Sequence, residues 1–280
     1  MAHDRFRIGR REALGMLGAG LLAGRGLTAQ GQGLEFSALD HIEFYVSNIE
    51  RSRDFFVRIF GNTLLKNRTT KRYLKLGSTY MAFEPIPANQ TEIKVDHFSA
   101  AIKRLEMAKL HAFLEQRGIE YRDYPSGRDT GVNDPDGIRV QLSPEDGWSI
   151  LNPPNFTPEA APMNEEPIFR PTGLEHILLN VADPEKSAAF YQKILGPPAQ
   201  RNNNRIWFQA GASRIGLLQT PAGQRAGVNH FCVSAAPFNY DAVIRRLQQI
   251  GAKVEAPEVA GSPEFRDPDG SLIQVMGPRA

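Results

Sequence analysis

A chain that repeats a long segment is confined to folds built from two like units. Here Leu39-Asp40-His41-Ile42-Glu43-Phe44-Tyr45-Val46 aligns with Leu174-Glu175-His176-Ile177-Leu178-Leu179-Asn180-Val181. Val95-Asp96-His97-Phe98 aligns with Val228-Asn229-His230-Phe231. Each copy closes with Asp-Pro-Asp-Gly, at 134–137 and 267–270, and a glutamine follows four residues past each glycine. The pairs His41/His176, His97/His230 and Gln141/Gln274 are offset by 135, 133 and 133 residues. Landmarks that keep register this closely establish a duplication, and 280 residues are enough for two domains. The copies span residues 37–145 and 172–278. Between them, residues 146–171 are proline-rich and lack apolar periodicity, which reads as a semi-rigid linker crossing the surface.

Local patterns place the landmarks. His41 lies in a β-branched and aromatic run whose alternation sends Ile42, Phe44 and Val46 to one face. His41, Glu43 and Tyr45 go to the other. The following helix, Ile49–Phe60, is expected to start at a capping box formed by Ser47 and Glu50. Its counterpart, Glu185–Leu195, has Asp183 as N-cap and Pro184 at the first helical position. Leu105–Gln116 and Tyr240–Ile250 read as the later helices, stopped by Gly118 and Gly251. Asp-Pro-Asp-Gly is turn chemistry, so its aspartates are read as turn residues. Each copy is thus strand, helix and strands, twice over.

Composition excludes several classes of function. Hydrophobic residues make up 41% and charged residues 23%, as in an ordinary globular protein. Beyond residue 30 the chain holds 28 basic and 29 acidic residues, which argues against a nucleic-acid partner. One cysteine, Cys232, excludes an intramolecular disulfide and a Cys-rich zinc site, and it reads as a packing residue. Residues 1–29 combine Arg5, Arg7, Arg10 and Arg11 with an apolar run, 13–24, that is too short to span a bilayer. Arg10-Arg11 followed by Leu14 resembles a twin-arginine export signal, and Leu27-Thr28-Ala29 a cleavage site. The expectation is an exported, periplasmic or secreted protein with no stable membrane span.

The pattern resembles the vicinal oxygen chelate (VOC) superfamily, which includes glyoxalase I, extradiol dioxygenases and bleomycin- or fosfomycin-resistance proteins. The resemblance covers residues 37–145 and 172–278. It implies an α+β fold of two tandem domains, each of paired βαβββ modules forming a curled mixed sheet around a cavity. It also implies a divalent metal ion (Fe, Zn, Mn or Ni) held by a histidine on the first strand, a histidine opening the second module and a carboxylate after the Asp-Pro-Asp-Gly turn. Here those positions are His41, His97 and Gln141, and His176, His230 and Gln274. Both carboxylates are therefore replaced by glutamine. The family's further ligand position aligns with Ala82 and Gly216, which coordinate nothing, and Glu84 nearby reads as facing away.

A glutamine carbonyl oxygen can ligate, but it leaves the ion's charge at +2 and cannot act as a general base. That favours Lewis-acid work over reductive activation of oxygen. In the first copy Glu43, Tyr45 and Arg139 share the face of the histidines and are the candidate catalytic groups, Arg139 as a clamp for an anionic oxygen. At the equivalent places the second copy has Leu178, Asn180 and Leu272, together with Cys232. It reads as lacking an acid or base beyond its histidines, which assigns chemistry to the first copy. Two functions stay open. One is a metal-dependent enzyme acting on a small oxygenated substrate by dioxygenase, lyase or isomerase chemistry. The other is a metal-free protein that sequesters a small molecule, with relic sites in a structural subunit as a weaker third. Modules can pair within a chain or between chains, so a homodimer is also open.

Overall fold

A computed structural model describes residues 34–278 except 67–69, 89, 91–94, 146, 152–156, 160–165 and 203. The export-signal reading of residues 1–29 lies outside the described residues. The first copy opens with β1 (Phe36–Val46), α1 (Ile49–Phe60), β2 (Leu64–Lys66), β3 (Arg72–Leu76) and β4 (Thr79–Pro85). It continues with β5 (Val95–Ile102), α2 (Met107–Gln116), β6 (Tyr121–Asp123), β7 (Thr130–Asn133) and β8 (Arg139–Pro144). The connecting stretch holds α3 (Gly147–Ile150) and β9 (Thr157–Pro158). The second copy repeats the series as β10 (Pro171–Val181), α4 (Pro184–Leu195), β11 (Gln200–Asn202), β12 (Arg205–Ala210) and β13 (Ser213–Gln219). It ends with β14 (Gly227–Ala235), α5 (Tyr240–Gln249), β15 (Lys253–Glu255), β16 (Glu264–Arg266) and β17 (Leu272–Met276).

Each copy is two βαβββ modules whose first strands pair antiparallel, β1 with β5 and β10 with β14. The first strand of a module also runs parallel to its last, as β1 does to β4 and β5 to β8. The result is two curled mixed sheets, ordered β6-β7-β8-β5-β1-β4-β3-β2-β9 and β11-β12-β13-β10-β14-β17-β16-β15. Alternation along β1 works as the sequence implies: Ile42, Phe44 and Val46 are buried in the main core, and His41, Glu43 and Tyr45 take the opposite, open face.

The core faces of the two sheets and their helices merge into a single apolar cluster, in which the rings of Phe44 and Phe231 stack at 6.1 Å. Reciprocal contacts fix this union. The β3–β4 turn meets β10, where Ser78 N–H donates to the Thr172 carbonyl at 3.2 Å, and the β12–β13 turn meets β1, where Ala212 N–H donates to Ser37 at 2.8 Å. A Cβ at Gly77 would lie 2.2 Å from the Thr172 carbonyl carbon, and one at Gly211 2.1 Å from the Ser37 oxygen. Both glycines also hold positive φ, so close approach and backbone conformation each exclude a side chain there.

The Asp-Pro-Asp-Gly turns do more than turn. Asp134 and Asp267 accept the N–H groups of their own turns through Oδ1. Asp136 reaches the other domain, accepting from Ala182 N at 3.0 Å and Ser187 Oγ at 3.5 Å beside the start of α4. Asp269 does the converse at α1, accepting from Ser47 N at 2.9 Å, Ser47 Oγ at 2.5 Å and Arg51 at 2.6 Å. Ser47 therefore does not form the expected capping box. The N-cap of α1 is Asn48, which accepts from Arg51 N, because Ser47 is drawn across the domain junction. Asp183 caps α4 as the sequence implies.

The stretch between the copies is built into the fold more than a surface crossing would be. Ile168 and Phe169 are buried in the main core, and β9 pairs with β2. Apolar residues scattered irregularly through a polar, proline-rich run leave no period to read. Among the described residues, no helix is long and apolar enough to cross a membrane.

Asp269 is held by three donors from the other domain, so Asp269→Ala should cost about 2 kcal/mol, a fall of roughly 4–8 °C in Tm. Calorimetry checks this. A variant melting with the parent would remove the turn from the set of domain clamps.

Candidate metal centres

Strand pairing brings all the sequence candidates together. Across the first sheet, aligned positions run Tyr80–His41–Ser99–Gln141 and, one step along, Ala82–Glu43–His97–Arg139. Tyr45 follows in register with Glu84. Across the second sheet the rows are Arg214–His176–Cys232–Gln274–Glu264 and Gly216–Leu178–His230–Leu272–Arg266. Residues aligned on neighbouring strands share a face, so each histidine pair and its glutamine project from one open face.

The histidines meet through their Nε2 atoms, at 3.2 Å between His41 and His97 and 3.0 Å between His176 and His230. Every Nδ1 is held from behind by an acceptor carried on the preceding residue. His41 Nδ1 donates to Asp40 at 2.7 Å, His97 to Asp96 at 2.8 Å, His230 to the Asn229 oxygen at 2.8 Å and His176 to Glu175. An acceptor on Nδ1 places the ring proton there and leaves Nε2 as a bare lone pair. Two lone pairs facing each other at this distance repel unless a cation lies between them. Adjacent donors on one ion at metal–nitrogen distances of about 2.0–2.1 Å stand roughly 3 Å apart, so the spacing suits cis ligation. Carboxylates behind metal-bound histidines are the usual means of fixing tautomer and orientation.

Asp40 serves twice. Its Oδ1 accepts the Gly147 N–H at 3.2 Å, which ties the start of α3 to the residue orienting His41. A Cβ on Gly147 would fall 2.3 Å from that carboxylate. Trp148 of α3 then lies 6.0 Å from Tyr80, whose ring stacks on His41 at 4.6 Å.

The groups around the first pair depart from expectation. Glu43 is a partner of Lys71 at 2.5 Å and of His97 at 4.0 Å. Burial pushes its carboxyl up, but His97 when protonated, together with Lys71, outweighs this and holds it below the usual range. Lys71 is itself pushed above its ordinary value, because Glu43 and Glu84 outweigh its own burial. Glu84 does not face away: it aligns with Tyr45 and lies 3.6 Å from Lys71, so it shares the face of the site. Tyr45 and Arg139 both turn to Asp96, at 2.8 and 3.1 Å, rather than standing free in the cavity. Burial raises Asp96, but hydrogen bonding and charge from His97, with Arg139, bring it to about 2. Ser99 bonds Ser143 at 2.7 Å. Lys71 and Asp96 were open to discovery in the sequence. Lys71 alternates with Leu74 and Leu76 across the period of β3, and Asp96 sits where Asp40 does, just before a histidine.

The second site is not devoid of acids. Glu264 is buried and accepts from Gln274 Nε2 at 2.9 Å, so the Gln274 carbonyl oxygen is the free end of that amide. It comes from β16, three residues long, where the alignment of copies gave no signal. Arg214 stacks over Trp207 at 4.5 Å and pairs with Glu175. A cavity of about 640 Å³ opens beside His230, Asn180, Arg225 and Arg266. Cys232 is fully buried, its thiol pushed up by burial, in keeping with a packing role.

The model of the Glyoxalase/Bleomycin resistance protein/Dioxygenase superfamily matches residues 38–142 and 173–275. The chain belongs to this superfamily. Metallothiol transferase FosB of Staphylococcus epidermidis is 26% identical over 117 residues, 39% of this chain and 82% of that protein. FosB of Lysinibacillus sphaericus is also 26% identical, over 113 residues, 38% of this chain and 80% of that one. Among solved structures, the 2,3-dioxygenase LapB from Pseudomonas sp. KL28 superposes with a TM-score of 0.63 at 16% identity, covering 89% of this chain and 94% of its own. The Mn(II)-bound glyoxalase from Novosphingobium aromaticivorans gives 0.63 at 14%, covering 87% and 83%. The superfamily's two-domain architecture is thus present along nearly the whole described chain.

This superfamily member keeps its second histidine pair neutral. Burial, then Arg214 and Arg205, takes His176 down to about 3, and burial, then His176 and Arg205, does the same to His230. The unfolded chain takes up these protons near pH 6.5, whereas the folded chain refuses them until about 3. Stability of chelator-treated protein should therefore be constant above pH about 7 and fall as pH drops from 6.5 toward 3. The slope is at most about 1.4 kcal/mol per pH unit for each histidine. Urea midpoints at pH 7.5, 6 and 5 measure it, and a His176→Gln/His230→Gln variant should show a shallower decline.

Proposed function

We propose that the chain is a divalent-metal enzyme acting on a small oxygenated substrate, with the ion held by His41, His97 and Gln141 in the first domain. A second ion would be held by His176, His230 and Gln274. The observation that carries this reading is the pair of facing Nε2 atoms at 3.0–3.2 Å, with every Nδ1 occupied from behind. The donor set fits a metal: two neutral imidazoles, and in the second site an amide oxygen left free by the anchoring of Gln274 on Glu264. Bound there without a carboxylate ligand, the ion would keep its full charge and supply Lewis-acid chemistry, polarising a carbonyl or acidifying a water.

We assign the reaction to the first domain because there Glu43 and Lys71 set an ionised carboxylate and an ammonium side by side against the histidines, whereas the second domain has Leu178 in the place of Glu43. Glu43 accepts a proton or a donor hydrogen from substrate. Lys71 keeps its proton and donates to a developing oxyanion. Asp96 gathers His97, Tyr45 and Arg139 around one carboxylate, holding the imidazole in place. Tyr80 stacked on His41 and Trp148 against Tyr80 exclude water from that side. Dioxygenase, lyase and isomerase outcomes all begin with an oxygen substrate held this way.

Metal analysis after reconstitution should find divalent ion in the parent protein and loss of one share in His41→Ala or His97→Ala and of the other in His176→Ala or His230→Ala. Asp96→Asn should weaken the first site by about 10–100-fold, and Gln141→Glu should tighten it. A parent protein that stays metal-free at excess Zn, Mn, Fe or Ni would leave the sequestering reading in its place.

We also propose export through the twin-arginine pattern of residues 1–29. The support is the pairing of Arg10 and Arg11 with the short apolar run, a route for chains that fold around a cofactor first. An Arg10→Lys/Arg11→Lys variant should remain with the cytoplasmic fraction, and an unchanged distribution would refute the signal.

A further inference from the structure

The duplication builds two crevices between the domains, and they differ. In each, the helix after the first strand of one domain faces the end of the Asp-Pro-Asp-Gly hairpin of the other. Helix α4 presents Lys186, Phe190 and Lys193, and α1 presents Arg51, Phe55 and Arg58 at the positions 135 residues earlier. Spacings of four and three residues put each set on one helical face, a cation on either side of an aromatic ring.

In the crevice under α1, Asp269 takes Arg51 in an ion pair at 2.6 Å, and the space is about 400 Å³. In the crevice under α4 the equivalent Asp136 is spent on Ala182 N and Ser187 Oγ instead. Among the described residues, Lys186 and Lys193 have no ion-pair partner, and the space is about 660 Å³. That volume lies within the roughly 300–1,000 Å³ of small-molecule sites. Its opposite wall carries Tyr121, Tyr124 and Arg139.

Of that wall's three acids, Asp123 and Asp134 are already engaged. Asp123 accepts from Thr130 at 2.7 Å and lies 2.9 Å from His111. Asp134 accepts its own turn's N–H groups and Tyr191 at 3.3 Å. Glu120 stands at the solvent edge. The positive charge of the lysines is therefore left for a ligand.

The Tyr124 hydroxyl is buried beside Arg139, which can only donate to it, so its own proton is left without an acceptor. Tyr124 is also the partition between the crevice and the first metal centre, its ring 6.2 Å from that of His97, and Arg139 reaches from the crevice wall to Asp96.

We propose that this crevice binds an organic anion with an aromatic body, the ring lying against Phe190 and Tyr121 and the anionic group meeting Lys186 and Lys193. Tyr124 donates its unspent hydroxyl to the same ligand. As a statement of substrate class this rests on the proposed metal-centre function, but the binding itself requires no metal.

The test uses the full-length chain and two probes of the same shape, 1-naphthylacetate and its neutral amide, titrated by calorimetry at low salt. The parent should bind the carboxylate at least about ten-fold more tightly than the amide, with the preference shrinking as salt rises. Lys186→Gln/Lys193→Gln should abolish the preference while metal content and Tm stay those of the parent. Phe190→Ala should weaken both probes, and Arg58→Gln, in the other crevice, should leave both unchanged. Equal binding of the two probes by the parent, or a preference that survives loss of both lysines, would overturn the proposal. His41→Ala separates the two readings. Naphthylacetate bound normally by a metal-depleted variant supports the crevice on its own, and loss of the preference in that variant overturns it as a separate site.

Discussion

The union of the two copies through their apolar faces is the constraint on which everything else depends. A sheet with one apolar face must cover it. Here each copy covers its partner, with Phe44 against Phe231 at the centre and Phe169 of the connecting stretch filling in beside Phe265. Once the apolar faces are joined, the opposite faces are free to carry histidine, glutamate, lysine and glutamine without breaking the core. The docking is specific because it is made twice. Gly77 against Thr172 repeats as Gly211 against Ser37, and Asp136 on α4 repeats as Asp269 on α1.

Burying polar and charged groups on the open faces is costly unless each has a partner. The histidines meet that condition through a simple device, an acceptor on the neighbouring residue of the same strand. Strand alternation would send that neighbour to the other face, yet register shifts between Leu39 and His41 and between Leu174 and His176 let Asp40 and Glu175 reach the imidazoles beside them. The irregularity in the strand is thus part of the candidate metal centre.

The two centres have diverged around a shared frame. The first is surrounded by Glu43, Lys71, Glu84 and Asp96, a network in which each carboxylate faces a cation. The second replaces Glu43 by Leu178, gains Glu264 behind its glutamine, and keeps its histidines neutral. Divergence extends to the crevices between the domains. In one, Arg51 is taken by Asp269 in an ion pair; in the other, Lys186 and Lys193 line the space without an ion-pair partner among the described residues. Duplicated units that must still dock on one another can vary only where they do not touch.

The sequence by itself determined the duplication, the order of elements and the six positions that converge on the candidate metal centres. Those properties are written in periodicity and in repeated landmarks, which survive without coordinates. Helix α1 runs from Ile49 to Phe60 as its pattern implies, and His41, His97 and Gln141 fall on one face because strand period decides it. Tertiary structure alone decided which groups those residues meet. Ser47 leaves its helix for Asp269, Tyr45 and Arg139 turn to Asp96, Glu84 joins the site, and Glu264 enters from a three-residue strand. Such partners lie tens to hundreds of residues apart and share no local pattern. Pairing of distant strands within each sheet, and for Ser47 the docking of the two domains, brings their charges close enough to choose.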